Sequence, residues 1–152
     1  MAPKIRMVVM RGTDAGRRTI DVQTDVRSSK VAELHRDPKA SLLFWDADNR
    51  VQVRIDCLAS LHLPGTTEAD ISLASIPEVG RTKYRQVQGS GTTIADPADL
   101  ALDPDPTSAQ RHFALIRLKV ERIDWLQDKG KDSARAEILY DQSLSHARWL
   151  AP

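Results

Sequence analysis

The stretch from Val51 to Cys57 constrains the fold most strongly, because apolar and polar side chains alternate along it without exception. It reads Val-Gln-Val-Arg-Ile-Asp-Cys, so the apolar side chains share one parity and the polar side chains share the other. Successive side chains of a β-strand point to opposite faces of the sheet. The pattern therefore predicts a strand with one face against a core and one polar face.

Other segments have the β-branched and apolar composition typical of strands, and short turns separate them. One helix is predicted between Ser28, a residue type that favours the N-cap, and Pro38, which cannot continue a helix. The predicted strands cover residues 5–10, 19–24, 40–45, 51–57, 112–125, 134–140 and 147–152. We therefore expect a mainly β fold, an antiparallel β-barrel with a few α-helices.

Residues 64–106 have a different character from the rest of the chain. Three Asp-Pro dipeptides fall between Asp96 and Pro106, and Pro77 and Gly80 interrupt the stretch before them. Such residues favour turns and short helices over long regular elements. We expect a single domain over residues 1–152, with 64–106 as an irregular or helical insertion.

The charge balance limits the classes of partner. The chain has 22 Lys and Arg residues against 21 Asp and Glu residues, a formal net charge of +1. General nucleic-acid and membrane-surface binders usually have a basic excess. There is also no apolar run of about 18 residues and no apolar signal-peptide core. We expect a cytoplasmic protein with neither a nucleic acid nor a membrane as partner.

Known catalytic and metal-binding patterns are missing from the sequence. Cys57 is the only cysteine, which excludes an internal disulfide and a Cys-rich zinc site, and its position predicts a buried apolar side chain. The histidines lack metal-ligand spacing and are expected at the surface or half-buried; they are His35, His62, His112 and His146. We therefore expect no metal site, and no catalytic residue can be named.

Several residues could bind an anion. Ser28, Ser29 and Lys30 stand at the start of the predicted helix, where backbone N–H groups, hydroxyls and an ammonium suit a phosphate. The alternative interpretation is a plain helix cap. Arg6 and Arg11 flank the first predicted strand, and solvated strand ends are the alternative for them.

Taken in order, these segments resemble the pyridoxamine 5'-phosphate oxidase family of FMN-binding split barrels. The resemblance implies an antiparallel barrel of Greek-key type and a homodimer with two FMN molecules at the subunit interface. It also implies an oxidoreductase with a small-molecule substrate. The matching segments are residues 6–11, 23–30, 38–44, 51–53, 120–125 (Val-Glu-Arg-Ile-Asp-Trp) and 149–152 (Trp-Leu-Ala-Pro).

The resemblance assigns residues to the cofactor site. Arg6 and Arg11 match the family's basic pair, Thr24 matches the Thr of its Y-T-N segment, and Ser29 and Lys30 occupy its phosphate clamp. Gln52 matches the Gln that faces the isoalloxazine ring. The further cofactor-binding residues implied are Met7, Val8, Val9, Gln23, Ser28, Trp125 and Arg135.

The chain also departs from the family. Ser29 stands where the clamp usually has an Arg, and Arg27 is expected to supply the missing charge. In place of the oxidase's R-x-H-x-R stretch the chain has residues 133–137, where Arg135 keeps a positive charge and Glu137 reverses one. The aromatic of the family's F-W pair is offset, because the chain reads Trp125-Leu126. The phosphate of pyridoxine 5'-phosphate would meet the Glu137 carboxylate, so this compound is not the expected substrate. The resemblance is closer to a divergent FMN-binding branch of the family.

Two geometric expectations follow from the strands. Arg6 and Arg11 are five residues apart, so a regular strand would place them on opposite faces. Both can reach one ligand only if the strand ends or bulges near Arg11, and Gly12 permits such a bulge. The stretch from Phe113 to Trp125 is apolar on both parities. Either a second subunit covers its outer face or the strand closes its own barrel.

Three functions remain open at this point. The first is an FMN-dependent oxidoreductase, and the second is a flavin-binding carrier or sensor without turnover. The third is a split barrel that uses deazaflavin or haem, or no cofactor. Family members usually have a helix and a strand before the segment that begins at Arg6. We therefore expect either that the barrel lacks these opening elements here, or that it is a shortened variant in which residues 64–106 or the partner subunit fill the gap.

Overall fold

A computed structural model describes residues 4–141 and 144–152, and in these ranges seven strands join in one antiparallel sheet. The strands are β1 (Met10–Asp14), β2 (Thr19–Asp25), β3 (Lys39–Asp46), β4 (Val51–His62), β5 (Phe113–Gln127), β6 (Ala134–Asp141) and β7 (Leu144–Leu150). The helices are α1 (Ser29–Arg36), α2 (Thr67–Ala74), α3 (Glu78–Arg81) and α4 (Ser108–His112). Short 3-10 turns cover Thr82–Arg85, Pro97–Asp99 and Gly130–Asp132. The mainly β fold expected from the sequence is confirmed.

Strand β5 organises the sheet. It pairs with β4 along most of its length, while on its other edge it pairs first with β2 and then with β6. The strand order is β1-β2-β5-β4-β3, and β6 and β7 branch from the second half of β5. The sheet therefore divides along β5 into two parts that share one central strand.

The main core lies on one face of this sheet. Every second side chain of the three central strands points into it, as the alternation in the sequence predicted. The buried members are Ile20, Val22, Ile55, Cys57, Ile116, Leu118 and Val120. Cys57 is 2% exposed, and burial raises the pKa of its thiol to about 11. The thiol is thus a packing group, as expected, since reactivity requires the thiolate.

A second cluster covers the opposite face of β5 where the strand begins. Phe113 and Leu115 pack there against α2, α4 and Tyr84, and the Tyr84 and Phe113 rings meet edge to face with centroids 5.0 Å apart. The chain's own residues 64–112 therefore cover this end of β5. Apolar side chains on both parities of β5 do not require a second subunit here.

Helix α1 ends where the sequence predicted. Ser28 has an extended backbone before the helix, Val31 is buried, and Leu34 packs against the main core. Asp37 is extended at φ −139° and ψ 110°, because Pro38 disfavours the helical region for the residue before it. The short helix thus presents its N-terminus next to the end of β2.

The position of the first strand differs from the prediction. The sequence predicted a strand over residues 5–10, but β1 runs from Met10 to Asp14, and residues 4–9 are not in a strand. Met7 is fully exposed. The pairing of β1 with β2 shifts register between Met10 and Gly12, and such a bulge bends the strand. Because the chain bends away from β2, residues 4–9 run past α1 and β3 instead.

None of the helices in the described ranges is long and apolar enough to cross a bilayer.

Candidate functional site

Five of the predicted cofactor residues meet at the N-terminus of α1. The Lys30 ammonium donates to the Thr24 hydroxyl at 2.9 Å and to the Ser28 hydroxyl at 2.8 Å. Arg6 reaches them from the segment before β1, and its Nη1 donates to Ser29 Oγ at 3.2 Å. The grouping that the resemblance implied is therefore present in the fold. We call Arg6, Thr24, Ser28, Ser29 and Lys30 the α1 cluster.

The backbone at this helix end adds to the cluster's positive character. Ser28 makes no side-chain capping hydrogen bond, and the first turn of α1 contains no acidic residue. Its first N–H groups therefore keep their positive partial charge. Partial burial lowers the pKa of Lys30, and the nearby Arg6 guanidinium lowers it further. Two cations held close together beside a helix N-terminus are suited to an anion.

Two further members of this region, Lys4 and Glu33, were not singled out by the sequence analysis. Glu33 Oε2 lies 2.5 Å from Arg6 Nη2, and Glu33 Oε1 lies 3.1 Å from Lys4 Nζ. The bond from Lys4 and the bond and charge of Arg6 hold the pKa of Glu33 below its usual value. The available signal was spacing, because Glu33 follows Ser29 by four residues and so shares its face of α1.

Arg27 does not supply the charge that Ser29 lacks, contrary to the expectation. Its guanidinium donates to both carboxylate oxygens of Asp25, at 3.0 and 2.7 Å. Two further bonds, both 2.9 Å long, go to the backbone carbonyls of Gln86 and Val87. Arg27 thus links the 64–106 segment to the turn before α1. It does so because the Asp25 carboxylate and these two carbonyls all accept hydrogen bonds from its guanidinium.

Arg11 lies at a β-bulge, as the sequence analysis predicted for a strand in which both arginines reach one ligand. Met10 pairs with Val22 and Gly12 with Asp21, so Arg11 is the extra residue of β1. Burial lowers the pKa of Lys83 most, and the nearby charge of Arg11 lowers it further. Arg11 therefore lies near the 64–106 segment, whereas Arg6 lies at α1. The bulge is confirmed, but the two arginines approach different parts of the molecule.

The apolar residues between the two arginines are exposed. Val9 is 58% exposed and Val8 is 40% exposed. Together with Arg6, Val8 lines a cavity of about 680 Å³ that Lys30 and Leu42 also border. Met7 borders a neighbouring cavity of about 510 Å³ beside Leu42, whereas Val9 lines neither of these two cavities.

A second group of predicted residues lies on a different face. The strand register places Gln52 opposite both Trp45 and Leu126, and Leu126 opposite Arg135. Residues directly opposite each other in antiparallel strands share a face. We call Trp45, Gln52, Leu126 and Arg135 the Gln52 row. Trp45 is 58% exposed there, and the sequence analysis had treated it only as part of a strand.

Trp125 does not belong to the Gln52 row. It lies opposite Val53, and Val53 packs against the main core. Leu126 therefore takes the place beside Gln52 and Arg135. The offset of this aromatic residue, noted in the sequence, is also found in the fold. It places Trp125 on the opposite face of the sheet from Gln52 and Arg135. The physical reason is the two-residue repeat of a strand.

Carboxylates hold Arg135 in place. Its Nε and Nη2 donate to the two oxygens of Asp124 at 3.0 and 2.8 Å, and Arg54 Nη2 also donates to Asp124, at 2.5 Å. Asp124 is 2% exposed. The bond from Arg135, followed by that from Arg54, keeps the pKa of Asp124 far below its usual value.

Glu137 does not present the free negative charge that the sequence suggested. Its Oε1 accepts from Arg122 at 2.6 Å and its Oε2 accepts from Arg148 at 2.7 Å. Both arginines keep the pKa of Glu137 below its usual value. Two guanidinium groups thus neutralise the carboxylate that was expected to repel an anionic ligand.

The α1 cluster and the Gln52 row lie on opposite faces of the sheet. Thr24 is buried and has the parity of Ile20 and Val22, which point into the main core. Gln52 has the opposite parity to Val53. Gln23 also lies on the outer face, and its amide donates to Ser72 Oγ of α2 at 3.2 Å. Within one chain the two groups therefore point away from each other across the sheet.

Comparisons with known proteins agree with this fold. Residues 1–62 match the family model described as pyridoxamine 5'-phosphate oxidase, FMN-binding domain. The comparison with curated protein sequences gives no match.

Two solved structures are similar over nearly the whole chain. One is a pyridoxamine 5'-phosphate oxidase-related, FMN-binding protein from Nostoc punctiforme PCC 73102, with 20% identity and a TM-score of 0.79 over 97% of this chain and 80% of that one. The other is PhzG from Burkholderia lata 383 in complex with tetrahydrophenazine-1-carboxylic acid. It has 18% identity and a TM-score of 0.75, over 97% of this chain and 74% of that one.

FMN, the expected cofactor, is that of the matched domain. The resemblance to the FMN-binding domain of the pyridoxamine 5'-phosphate oxidase family is therefore confirmed, by the family model over residues 1–62 and by a fold shared over 97% of the chain.

Proposed function

We propose that this protein is an FMN-dependent oxidoreductase for a small-molecule substrate and binds the FMN phosphate at the α1 cluster. The observation that carries the proposal is the meeting of Arg6, Ser29 and Lys30 at a helix N-terminus without a side-chain cap. These groups come from two separate segments of the chain. Elements that are distant in sequence converge on one position suited to a phosphate.

The donors fit a phosphate monoester. Arg6 and Lys30 provide charge, and Ser28 and Ser29 provide hydroxyl donors next to the backbone N–H groups of α1. Charge-assisted hydrogen bonds are the strongest that such a group can receive. When bound, FMN supplies the reversible redox chemistry, and the chain's part is to hold and orient the cofactor and to limit its contact with water.

A homodimer would complete the site. The α1 cluster and the Gln52 row of one chain face opposite ways, and this supports a site in which a second copy supplies the Gln52 row that meets the ring. Leu43 and Trp45 of β3 are 57% and 58% exposed. Exposed apolar side chains at a strand edge favour association. We propose that two copies meet so that each supplies the Gln52 row to the α1 cluster of the other.

The first experiment tests whether the purified protein binds flavin. We expect flavin absorption bands and about one FMN per chain, measured by absorbance and by mass spectrometry of the released cofactor. Colourless protein that takes up no added FMN would contradict the proposal. Uptake of a deazaflavin or haem in preference to FMN would replace it with the other cofactor class.

The second experiment tests the phosphate site. Lys30→Ala should weaken FMN binding by about tenfold to a hundredfold, because a charge-assisted hydrogen bond is lost. The measurement is a titration that follows the quenching of flavin fluorescence. Lys30→Arg keeps the charge and should bind more tightly than Lys30→Ala. Lys129→Ala, at an exposed turn, serves as the matched control, and an unchanged dissociation constant for Lys30→Ala would refute the assignment.

The third experiment separates an enzyme from a carrier or sensor. The flavin is reduced by light without oxygen and then mixed with a panel of small-molecule oxidants in a stopped-flow instrument. An oxidoreductase should show rapid, saturable reoxidation by at least one of them. Slow reoxidation by air, with no response to the panel, would favour the carrier or sensor.

A further inference from the structure

The segment that carries Arg6 lacks the support of a sheet. Residues 4–9 are not in a strand, and Ile5 and Met7 are 92% and 100% exposed. Backbone pairing therefore does not fix the position of Arg6. A cation on an unpaired segment loses conformational entropy when it binds a ligand, unless other contacts already hold it.

Glu33 provides such a contact. Its two carboxylate oxygens bind two cations of this segment, Arg6 at 2.5 Å and Lys4 at 3.1 Å. The Glu33 side chain is 19% exposed and that of Arg6 is 28% exposed, so water screens the Arg6–Glu33 pair less than a surface pair. Glu33 lies within the regular helix α1, whose Val31 is buried in the fold. A fixed element thus holds a segment that is otherwise unpaired.

Arg6 can hold Glu33 and a phosphate at the same time. A guanidinium has five N–H donors. Among the described residues, Arg6 uses one donor toward Ser29 and one toward Glu33. The remaining donors are available to an anion. Lys4, Arg6 and Lys30 together with Glu33 leave a net charge of +2 at this helix end, so the region still attracts a phosphate.

We propose that Glu33 is a positioning residue for the cofactor's phosphate. It fixes Lys4 and Arg6 against α1, so that the segment 4–9 is already in place when the phosphate arrives. This inference rests on the proposed binding of FMN at the α1 cluster. The opposite role, a carboxylate that competes with the phosphate for Arg6, predicts the opposite sign in the test below.

The test is a double-mutant cycle on FMN affinity with Glu33→Ala, Arg6→Ala and the double variant. Glu33→Ala should weaken binding about fivefold to tenfold, because Arg6 then has to be ordered by the ligand. In the Arg6→Ala background the same change should have less than half that effect. Glu33→Gln should lie between wild type and Glu33→Ala, because its amide oxygen still accepts from Arg6. The matched control is Glu121→Ala, at an exposed position of β5.

A second measurement reports directly on the segment. Without FMN, amide exchange and proteolysis at residues 4–9 should be faster in Glu33→Ala than in wild type and in Glu121→Ala, with the rest of the chain unchanged. FMN binding that stays equal or becomes tighter in Glu33→Ala, while Arg6→Ala weakens it, would overturn this inference and leave the phosphate site intact. An affinity that Arg6→Ala and Lys30→Ala both leave unchanged would overturn the phosphate site itself and this inference with it.

Discussion

Arg27 and Lys30 are cations three residues apart, yet the structure gives them different partners. Lys30 hydrogen-bonds to two neutral hydroxyls and to no carboxylate, whereas Arg27 is bound to the Asp25 carboxylate. A cation that is already neutralised gains less from an arriving phosphate than one that is not. At the scale of single residues, the nearest acceptor therefore decides which cation is available to a ligand.

Arg27→Ala should destabilise the fold without weakening FMN binding. The variant loses bonds to Asp25 and to two carbonyls of the 64–106 segment, and we expect the free energy of unfolding to fall by about 1 to 2 kcal/mol in urea titrations. FMN affinity should change less than about twofold. The control is Arg17→Ala, since that exposed side chain pairs with Asp14 at the surface. A loss of affinity equal to that of Lys30→Ala would show that Arg27 is a phosphate ligand.

Gln52→Ala should alter the flavin more than its affinity. Loss of one neutral hydrogen bond, about 1 kcal/mol, corresponds to roughly 20 mV for a two-electron couple. We expect a shift of that order in the midpoint potential, with a change in the absorption spectrum and a dissociation constant within about fivefold of wild type. Gln127→Ala on β5 is the control. Equal potentials in wild type and Gln52→Ala would place this amide away from the ring.

Strands β4, β5 and β6 carry a network of charges that runs across them. Asp124 is almost fully buried between Arg54 and Arg135, and Glu137 joins Arg122 to Arg148. Removing one partner of such a network leaves the other charge without compensation, which costs more than the pair contributes. At the scale of elements, the network holds the Arg135 guanidinium in place on the face that Arg135 shares with Gln52.

Asp124→Asn should lower stability and weaken its dependence on pH. The pKa of Asp124 is lower in the folded state than in the unfolded state, so its stabilising contribution is present above about pH 4 and is lost as the pH falls further. At pH 7 we expect a loss of about 2 to 3 kcal/mol, less than for a fully buried pair because both guanidinium groups reach solvent.

Thermal unfolding between pH 3 and pH 7 provides the measurement for Asp124. The wild-type Tm should fall more steeply on acidification than the Tm of Asp124→Asn. Asp128→Asn removes a carboxylate from the exposed pair with Arg50, and it should lower the Tm much less than Asp124→Asn does. Parallel pH profiles for wild type and Asp124→Asn would contradict the role assigned to this carboxylate.

The whole molecule has the α1 cluster on one face of its sheet and the Gln52 row on the other. If both groups bind one FMN, as proposed above, cofactor binding and association should be linked. The exposed apolar side chains of β3 lie at the sheet edge next to the Gln52 row. At this scale the proposal predicts that association, more than any single residue, controls how the flavin ring is held.

Leu43→Glu should separate the two copies and weaken FMN binding together. A carboxylate that replaces an apolar side chain at an interface has to be desolvated on association, so the variant should sediment as a monomer where wild type is expected to sediment as a dimer. FMN affinity should fall at least about tenfold, because the second group of contacts is lost. Val79→Glu, on an equally apolar and 85% exposed position of α3, is the control. A wild-type monomer that binds one FMN would refute the shared site.

Local pattern was sufficient for α1 and for residues 51–57 of β4, although that strand continues to His62. The alternation around Ile55 requires one buried face, and Ser28 and Pro38 define the ends of the helix by capping preference and by ring geometry. The anion-binding character of the α1 cluster followed from residue types close in sequence. The first strand could not be placed in this way, because its boundary depends on a bulge opposite β2.

The sequence by itself determined the fold class, the helix with its phosphate-binding residue types, and the burial of Cys57, because these depend on neighbours within a few positions along the chain. Only the tertiary structure decided that Glu33 holds Arg6, that Arg27 binds Asp25 and the 64–106 segment, and that Trp125 faces away from Gln52. Those outcomes depend on strand register and on contacts between distant segments, where a shift of one residue exchanges the two faces of a strand.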